Sequence, residues 1–234
     1  MSDHQTVKYP RTYHVDVSPG LHNDDRRHPD LSLFEGRRVI LTEKADGEGT
    51  TVTRERTYPR SPDGRQHPSR GWIKAFQARK GHDIPEGWRL SGEYLYALHS
   101  IPYTNANGNA LSSYFYGFGV WDADNVLLGW DATMEVFQML DVVPVKVLYD
   151  GPFHPRLIEE IALTIDTTRQ EGFVMRLAEA MPYPNGAGDR GRFFQGIAKW
   201  VRAKHVATDE HWMSAWRDAP GFINELLPGI PIHA

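Results

Sequence analysis

No cysteine occurs among the 234 residues. That excludes a disulfide scaffold, thiolate zinc sites and a cysteine nucleophile, and it fits a reducing cytoplasm. Long hydrophobic runs are absent too: nothing approaches the ~18 consecutive apolar residues of a membrane-spanning helix. The opening stretch, MSDHQTVKYPRTYHV, has no apolar segment of the kind a secretion signal carries. There is no internal repeat and no low-complexity tract. Charge of one sign is not in excess either. The net charge is −4, so the total does not mark a polyanion-binding protein. What remains is a globular composition, 40% hydrophobic and 24% charged, long enough to bury one large domain core. Its 21 glycines and 16 prolines predict many turns between short strands.

The charges are unevenly spread. Residues 54 to 80 hold Arg54, Arg56, Arg60, Arg65, Arg70, Lys74, Arg79 and Lys80 against Glu55 and Asp63 alone. Residues 190 to 205 hold Arg190, Arg192, Lys199, Arg202 and Lys204 with no acid. Two solvated surfaces would explain this; so would one site for a triphosphate or a nucleic-acid backbone, built from both segments.

Periodicity and turn residues predict strands over 37–43, 50–56, 90–98, 114–121, 142–149, 172–177 and 193–202. They predict helices over 72–80, 133–140 and 155–167, and a tail from 211 to 227 that is helical in part. Residues 16–32, 58–70 and 181–191 read as loops. Strands and helices mix without regular βαβ alternation, which predicts an α+β fold.

The most informative segment is Thr42 to Thr51, TEKADGEGTT. A lysine ends an apolar strand and precedes an Asp-Gly turn. Asp-Gly is a strong hairpin signal, and a hairpin would leave Lys44 without a role. Five further segments follow in order: Arg60-Ser61, Ser91-Gly92-Glu93-Tyr94, Phe115 to Trp121 (FYGFGVW), Glu171-Gly172-Phe173-Val174, and Ala198-Lys199-Trp200-Val201-Arg202.

Together with Lys44-Ala45-Asp46-Gly47, these segments resemble the ordered motifs of the covalent lysyl-nucleotidyltransferases, which are the RNA and DNA ligases and the mRNA capping enzymes. TEKADGEGTT and HPSRGW at 67–72 resemble the small phage- and bacterial-type ATP-dependent RNA ligases most. The resemblance spans 37 to 205. It implies an α+β nucleotidyltransferase (adenylation) domain there, ATP-grasp-like, with antiparallel sheets and peripheral helices. Residues 1–36 would pack on this core, and 206–234 would form a short tail with no oligonucleotide-binding barrel.

The resemblance also assigns roles. Lys44 would attack the α-phosphorus of ATP, giving lysyl-AMP and pyrophosphate. A lysine is nucleophilic only when neutral, so burial beside the cations Lys199 and Arg60 would have to lower its pKa. Glu43, next to the nucleophile, would line the nucleotide site. Glu93 would accept from a ribose hydroxyl and Phe118 would stack on the base, Trp121 being the alternative if the register slips by one. Glu171 would hold Mg²⁺ or Mn²⁺, ions that prefer oxygen ligands. Lys199 would contact the α-phosphate, with Arg202 on the same surface and Arg60 on the phosphates in competition with Arg56 and Arg65. His14 is a candidate for the pyrophosphate side. RNA with 5′-phosphate and 3′-hydroxyl ends would then be joined through an RNA-adenylate, with an end-healing protein as the further partner such repair could call on. A DNA ligase, a capping-type enzyme and a non-catalytic RNA-binding module on the same fold are the alternatives.

Two departures stand out. Where the aromatic motif often has Phe-Asp, this chain has Phe118-Gly119, with Asp122 as the candidate substitute. Val201 stands where a second lysine often follows Lys199. Lys44→Ala is expected to abolish adenylation and leave the fold intact. Trp212 and Trp216, four apart, would pack the tail on the core from one helix face.

Overall fold

The computed structural model describes residues 6–21, 25–60, 67–184, 191–203, 213 and 216–232. Ser61, Asp63, Arg65, Arg190, Lys204 and Trp212 lie outside them, as do parts of the three expected loops.

Eleven strands are described: β1 Tyr13–His14, β2 Arg38–Lys44, β3 Glu48–Thr53, β4 Thr57–Pro59, β5 Arg89–Tyr94, β6 Phe115–Trp121, β7 Val126–Leu127, β8 Val147–Pro152, β9 Gly172–Leu177, β10 Met181–Pro182 and β11 Ile197–Val201. The helices are α1 Gly71–Lys80, α2 Trp130–Met139, α3 Leu157–Ala162 and α4 Arg192–Gln195. The strands form two sheets. One has five strands in the order β1-β11-β9-β2-β8, the other six in the order β10-β7-β6-β5-β3-β4. Pairing is antiparallel except for β1 on β11. The fold is therefore α+β with antiparallel sheets and few helices.

Period-2 alternation explains how each sheet serves two purposes. On β9, Phe173, Met175 and Leu177 join a core with Ala198 and Trp200 of β11, Val39 and Leu41 of β2, and Leu157 and Ile158 of α3. The other sheet packs Val52, Leu90, Phe115 and Val120 against Ile73 and Phe76 of α1 and Val136 and Phe137 of α2. The opposite faces of both sheets look into one cavity between them.

The Ala45-Asp46-Gly47 turn is not a hairpin. β2 and β3 belong to different sheets, and the turn carries the chain across. Asp46 anchors it: one carboxylate oxygen accepts from Ser100 N, Ser100 Oγ and Ile101 N at 2.7, 2.7 and 2.8 Å, while Asp46 N–H donates to Tyr103 Oη at 2.9 Å. Gly47 passes so near β5 that a Cβ there would lie 2.5 Å from the Tyr94 carbonyl oxygen. The side-chain carboxylate and the missing Cβ are both needed, which is why the crossing reads Asp-Gly.

Other elements depart from the sequence reading for local reasons. The expected helix 155–167 stops at Ala162: Thr164 N–H and Oγ–H both donate to Ile161 O, closing the last turn, and Asp166 then accepts from Thr168 N–H and Oγ–H in a side-chain turn. The expected strand 193–202 begins as α4 and becomes strand only at Ile197. Gly196 separates them at a spot where a Cβ would meet Met181 Sδ at 2.6 Å. The expected strand 142–149 starts at Val147; before it, Val143 O and Val145 N bond to Gly117. In the tail expected to be helical in part over 211–227, Met213 is helical and residues 216–232 contain no helix. They run irregularly over the second sheet's margin, with Asn224 buried and donating to Leu95 O and Ala97 O. No helix among the described residues is long and apolar enough to cross a membrane.

Candidate active site

The cavity has a volume of about 370 Å³ and takes its walls from both sheets and from the N-terminal segment. Glu43 and Lys44 enter from the end of β2, Lys199 from β11, Glu93 from β5, Phe118 from β6 and Arg60 from just beyond β4. These six were expected at the nucleotide site, and the fold brings them to one cavity. Lys44, Glu93 and Lys199 are there because each alternates with a core residue on its strand; Glu43 is in phase with the core residues Val39 and Leu41 and reaches the cavity from the end of β2, and Arg60 lies beyond β4. Lys199 is flanked by buried Ala198 and Trp200, with Trp200 stacked on Phe173 at 5.6 Å.

Glu171 does not line the cavity wall but forms an ion pair with Lys44 Nζ. Its side chain is 8% exposed against 25% for the lysine. The adjoining Gly172 is required by the backbone. Its φ is +153°, and a Cβ would sit 2.0 Å from the Trp200 carbonyl oxygen on β11. Gln170 donates to Glu43 at 2.6 Å, so the approach to β9 orders the cavity carboxylate Glu43 as well as supplying the Glu171 that pairs with Lys44. Glu93 accepts from Gly47 N–H at 3.2 Å, tying the crossing turn to β5.

A family model described as RNA ligase matches residues 37–201. The chain belongs to the RNA ligase family. The solved structures it resembles include Naegleria gruberi RNA ligase with PPi, at TM-score 0.56 and 17% identity, over 84% of this chain and 56% of that one. A mutant of the same ligase with ATP and Mn gives 0.54 and 16%, over 86% and 58%. An archaeal ATP-dependent RNA ligase gives 0.51 and 13%, over 83% and 48%. At these identities the likeness establishes the fold, that of a ligase nucleotidyltransferase domain. The chain spans about half the length of these solved chains. No curated protein sequence matches it.

The electrostatics of this RNA ligase family member depart from the sequence reading. Lys44 was expected to have its pKa lowered by neighbouring cations. Burial acts in that direction, but the charges of Glu171, Glu93 and Asp46 outweigh it and hold the ammonium well above the usual lysine value. The lowered lysine is Lys199, pushed down to about 8 by burial and then by the Lys44 charge. Burial raises Glu93 to about 7, against the pull of Lys44. Arg60 is lowered by burial and by Arg11, and its Nε donates to Tyr9 O at 3.2 Å.

Other candidates sit elsewhere. Arg202 does not line the cavity; its Nη2 donates to Ser100 Oγ at 3.1 Å, beside the Asp46 anchor. His14 is buried, with Nδ1 2.9 Å from Ser18 Oγ and Nε2 3.4 Å from Asp25, and does not reach the cavity. Trp121 is buried and packs on Tyr9 and Phe193, which leaves Phe118 as the aromatic side chain of β6 at the cavity. Asp122 accepts from Asp124 N and Val126 N; it caps its own turn and does not replace a carboxylate at Gly119. A Cβ at Gly119 would press Leu127 at 2.9 Å.

Sequence reasoning missed Tyr9, Asp25 and Arg176, which also line the cavity. Tyr9 lies edge-on to Phe118, with ring centroids 5.0 Å apart. For Arg176 a signal existed: in GFVMRL it is a charged residue in phase with Val174, on the face opposite Phe173 and Met175. For Tyr9 and Asp25 no local signal exists, because the N-terminal segment reaches the cavity only through the pairing of β1 with β11.

Proposed function

We propose that this chain adenylates itself on Lys44 and carries the AMP-transfer centre of an ATP-dependent RNA ligase, joining 5′-phosphate and 3′-hydroxyl RNA ends. The observation that carries the reading is a lysine at a sheet-to-sheet crossing, ion-paired to Glu171, in a cavity shared with Lys199, Arg60, Glu93 and Phe118.

The donor set suits a nucleotide. Arg11, Arg60, Arg176 and Lys199 bring positive charge to the cavity, and Phe118, Val145, Val174 and Ile197 supply apolar walls. Lys44 Nζ forms the N–P bond to the α-phosphate as the bond to pyrophosphate breaks. To do so it must first give up a proton, to the paired Glu171 carboxylate or to water, since the ammonium has no lone pair. Lys199 and Arg60 place positive charge where the phosphorane gains negative charge. Glu93 is placed to accept from a sugar hydroxyl.

Among the described residues no three His, Asp or Glu side chains gather to ligate an ion. Mg²⁺ and Mn²⁺ are commonly held by one or two carboxylates and completed by phosphate oxygens and water. Glu171 is the residue that would hold either ion, and the ion would supply charge neutralisation of the phosphates.

The test is covalent labelling with α-labelled ATP and, in parallel, α-labelled GTP, with Mg²⁺ or Mn²⁺, read on a denaturing gel. Label from ATP that Lys44→Ala abolishes is the expected result. Label from GTP alone would move the assignment to capping chemistry. No label from either, on protein stripped of carried-over adenylate, would favour a non-catalytic RNA-binding module.

A further inference from the structure

Residues 6–12 take neither helix nor strand, yet three successive carbonyl groups in them are held by side chains from elsewhere. Tyr58 Oη donates to Val7 O at 3.2 Å, Tyr183 Oη to Lys8 O at 2.9 Å, and Arg60 Nε to Tyr9 O at 3.2 Å. Tyr58 lies on β4 and Tyr183 just beyond β10, the two outer strands of the six-stranded sheet. The segment is therefore a strap fastened from both edges of that sheet. Because the bonds go to backbone oxygens, they fix the path of the strap and leave the side chains of residues 9–12 to the cavity.

What the strap carries is a wall. Tyr9, Pro10, Arg11 and Thr12 line the cavity one after another, and beyond them the chain enters β1, which the Lys199 strand holds. Neither Tyr58 nor Tyr183 lines the cavity, so both act on it through the strap. Arg60 does both: it lines the cavity and grips Tyr9 O. Burial, and then the charge of Arg11 on the strap, lowers the Arg60 pKa. Two like charges this close repel; an anion bound between them turns that repulsion into attraction and draws the strap down.

We propose that residues 7–12 are a closing wall of the cavity, latched by the hydroxyls of Tyr58 and Tyr183, and that these two tyrosines are positioning residues that set how long ATP stays bound. This rests on the ATP reading of the cavity and adds a control on nucleotide retention. The hydroxyls contact the strap alone, so their loss shortens the stay of ATP without touching the groups that react.

The test uses Tyr58→Phe, Tyr183→Phe and the double variant, which keep the rings that pack under Arg56 and against Trp121. ATP dissociation is followed by displacement in EDTA, where no adduct forms. It should be about threefold faster in each single variant and about tenfold faster in the double. In adenylation with metal, the KM for ATP should rise while kcat holds. Tyr149→Phe is the control: it removes the same kind of bond, to Pro152 O at 2.8 Å, away from the cavity, and should lower the thermal midpoint but keep wild-type ATP dissociation. Latch variants that lose thermal stability as Tyr149→Phe does, yet release ATP at the wild-type rate, would overturn the proposal. A wild-type measurement needs no variant: saturating ATP in EDTA should slow amide hydrogen exchange over residues 7–12, and unchanged exchange would overturn it too. The two readings fail separately. Faster ATP release in the latch variants, with no lysyl-AMP formed by the wild type, refutes the ligase chemistry and leaves the latch. Failure of ATP to bind overturns both.

Discussion

Replacing Lys44 by methionine should cost stability as well as activity. From sequence, Lys44 reads as a pocket lysine whose loss leaves the fold intact. The ion pair with a Glu171 side chain only 8% exposed changes that expectation. Methionine keeps the aliphatic stem and removes the charge, leaving Glu171 near Glu93 and Asp46 with no cation between them. Breaking a fully buried pair costs about 3–5 kcal/mol. Lys44 is 25% exposed, so water recovers part of this, and we expect a loss of about 2–3 kcal/mol at pH 8. Urea denaturation of Lys44→Met, Glu171→Gln and the double variant measures it. The double variant should return to within about 1 kcal/mol of wild type, because neither partner is then stranded. Protonating the stranded carboxylate relieves the loss, so the Lys44→Met deficit should shrink from pH 8 to pH 5. A single variant as stable as wild type at pH 8, or a double variant no better than the single, would refute the reasoning.

Glu93→Gln should lose adenylation but be more stable than wild type at pH 8. A carboxyl raised to about 7 in the folded state contributes stability that is fully present below its unfolded value and lost as pH rises through 7; denaturation at pH 5 and pH 8 shows whether the variant lacks that decline. Lys199→Arg should alter the pH dependence of adenylation. Wild type loses the Lys199 charge as pH passes about 8, which bends its log kcat/KM profile downward, and arginine keeps its charge, so a bend near 8 that survives in the variant would rule out Lys199 as its source. Gly172→Ala should destabilise by more than about 3 kcal/mol, since its Cβ would meet the Trp200 carbonyl oxygen at 2.0 Å; a thermal midpoint close to wild type would count against that close approach.

Local patterning carries much of the fold. β2, β6 and β9 lie within a residue of their expected spans, because alternation and β-branched content mark a half-buried strand wherever it sits. The same alternation is why Lys199, Phe118 and Glu93 could be read as facing one place. What could not be read depends on partners far along the chain. The two-residue strand at Tyr13–His14 has no periodicity of its own and exists because β11 accepts it. The sign of the Lys44 shift depends on Glu171, which arrives from 127 residues away. Arg202 and Lys199 look alike in a basic segment, yet three residues separate a cavity lysine from an arginine clasping Ser100.

The parallel docking of β1 beside the strand that bears Lys199 has a consequence for synthesis. Ser18 receives the Val201 amide proton across a separation of 183 residues, and Tyr9 reaches its place beside Phe118 in the cavity only when that seam is closed. A chain still emerging from the ribosome therefore has a nucleophile long before it has a pocket. Contacts so distant in sequence form late and slowly. On the proposed chemistry, self-adenylation would begin only after that seam has closed.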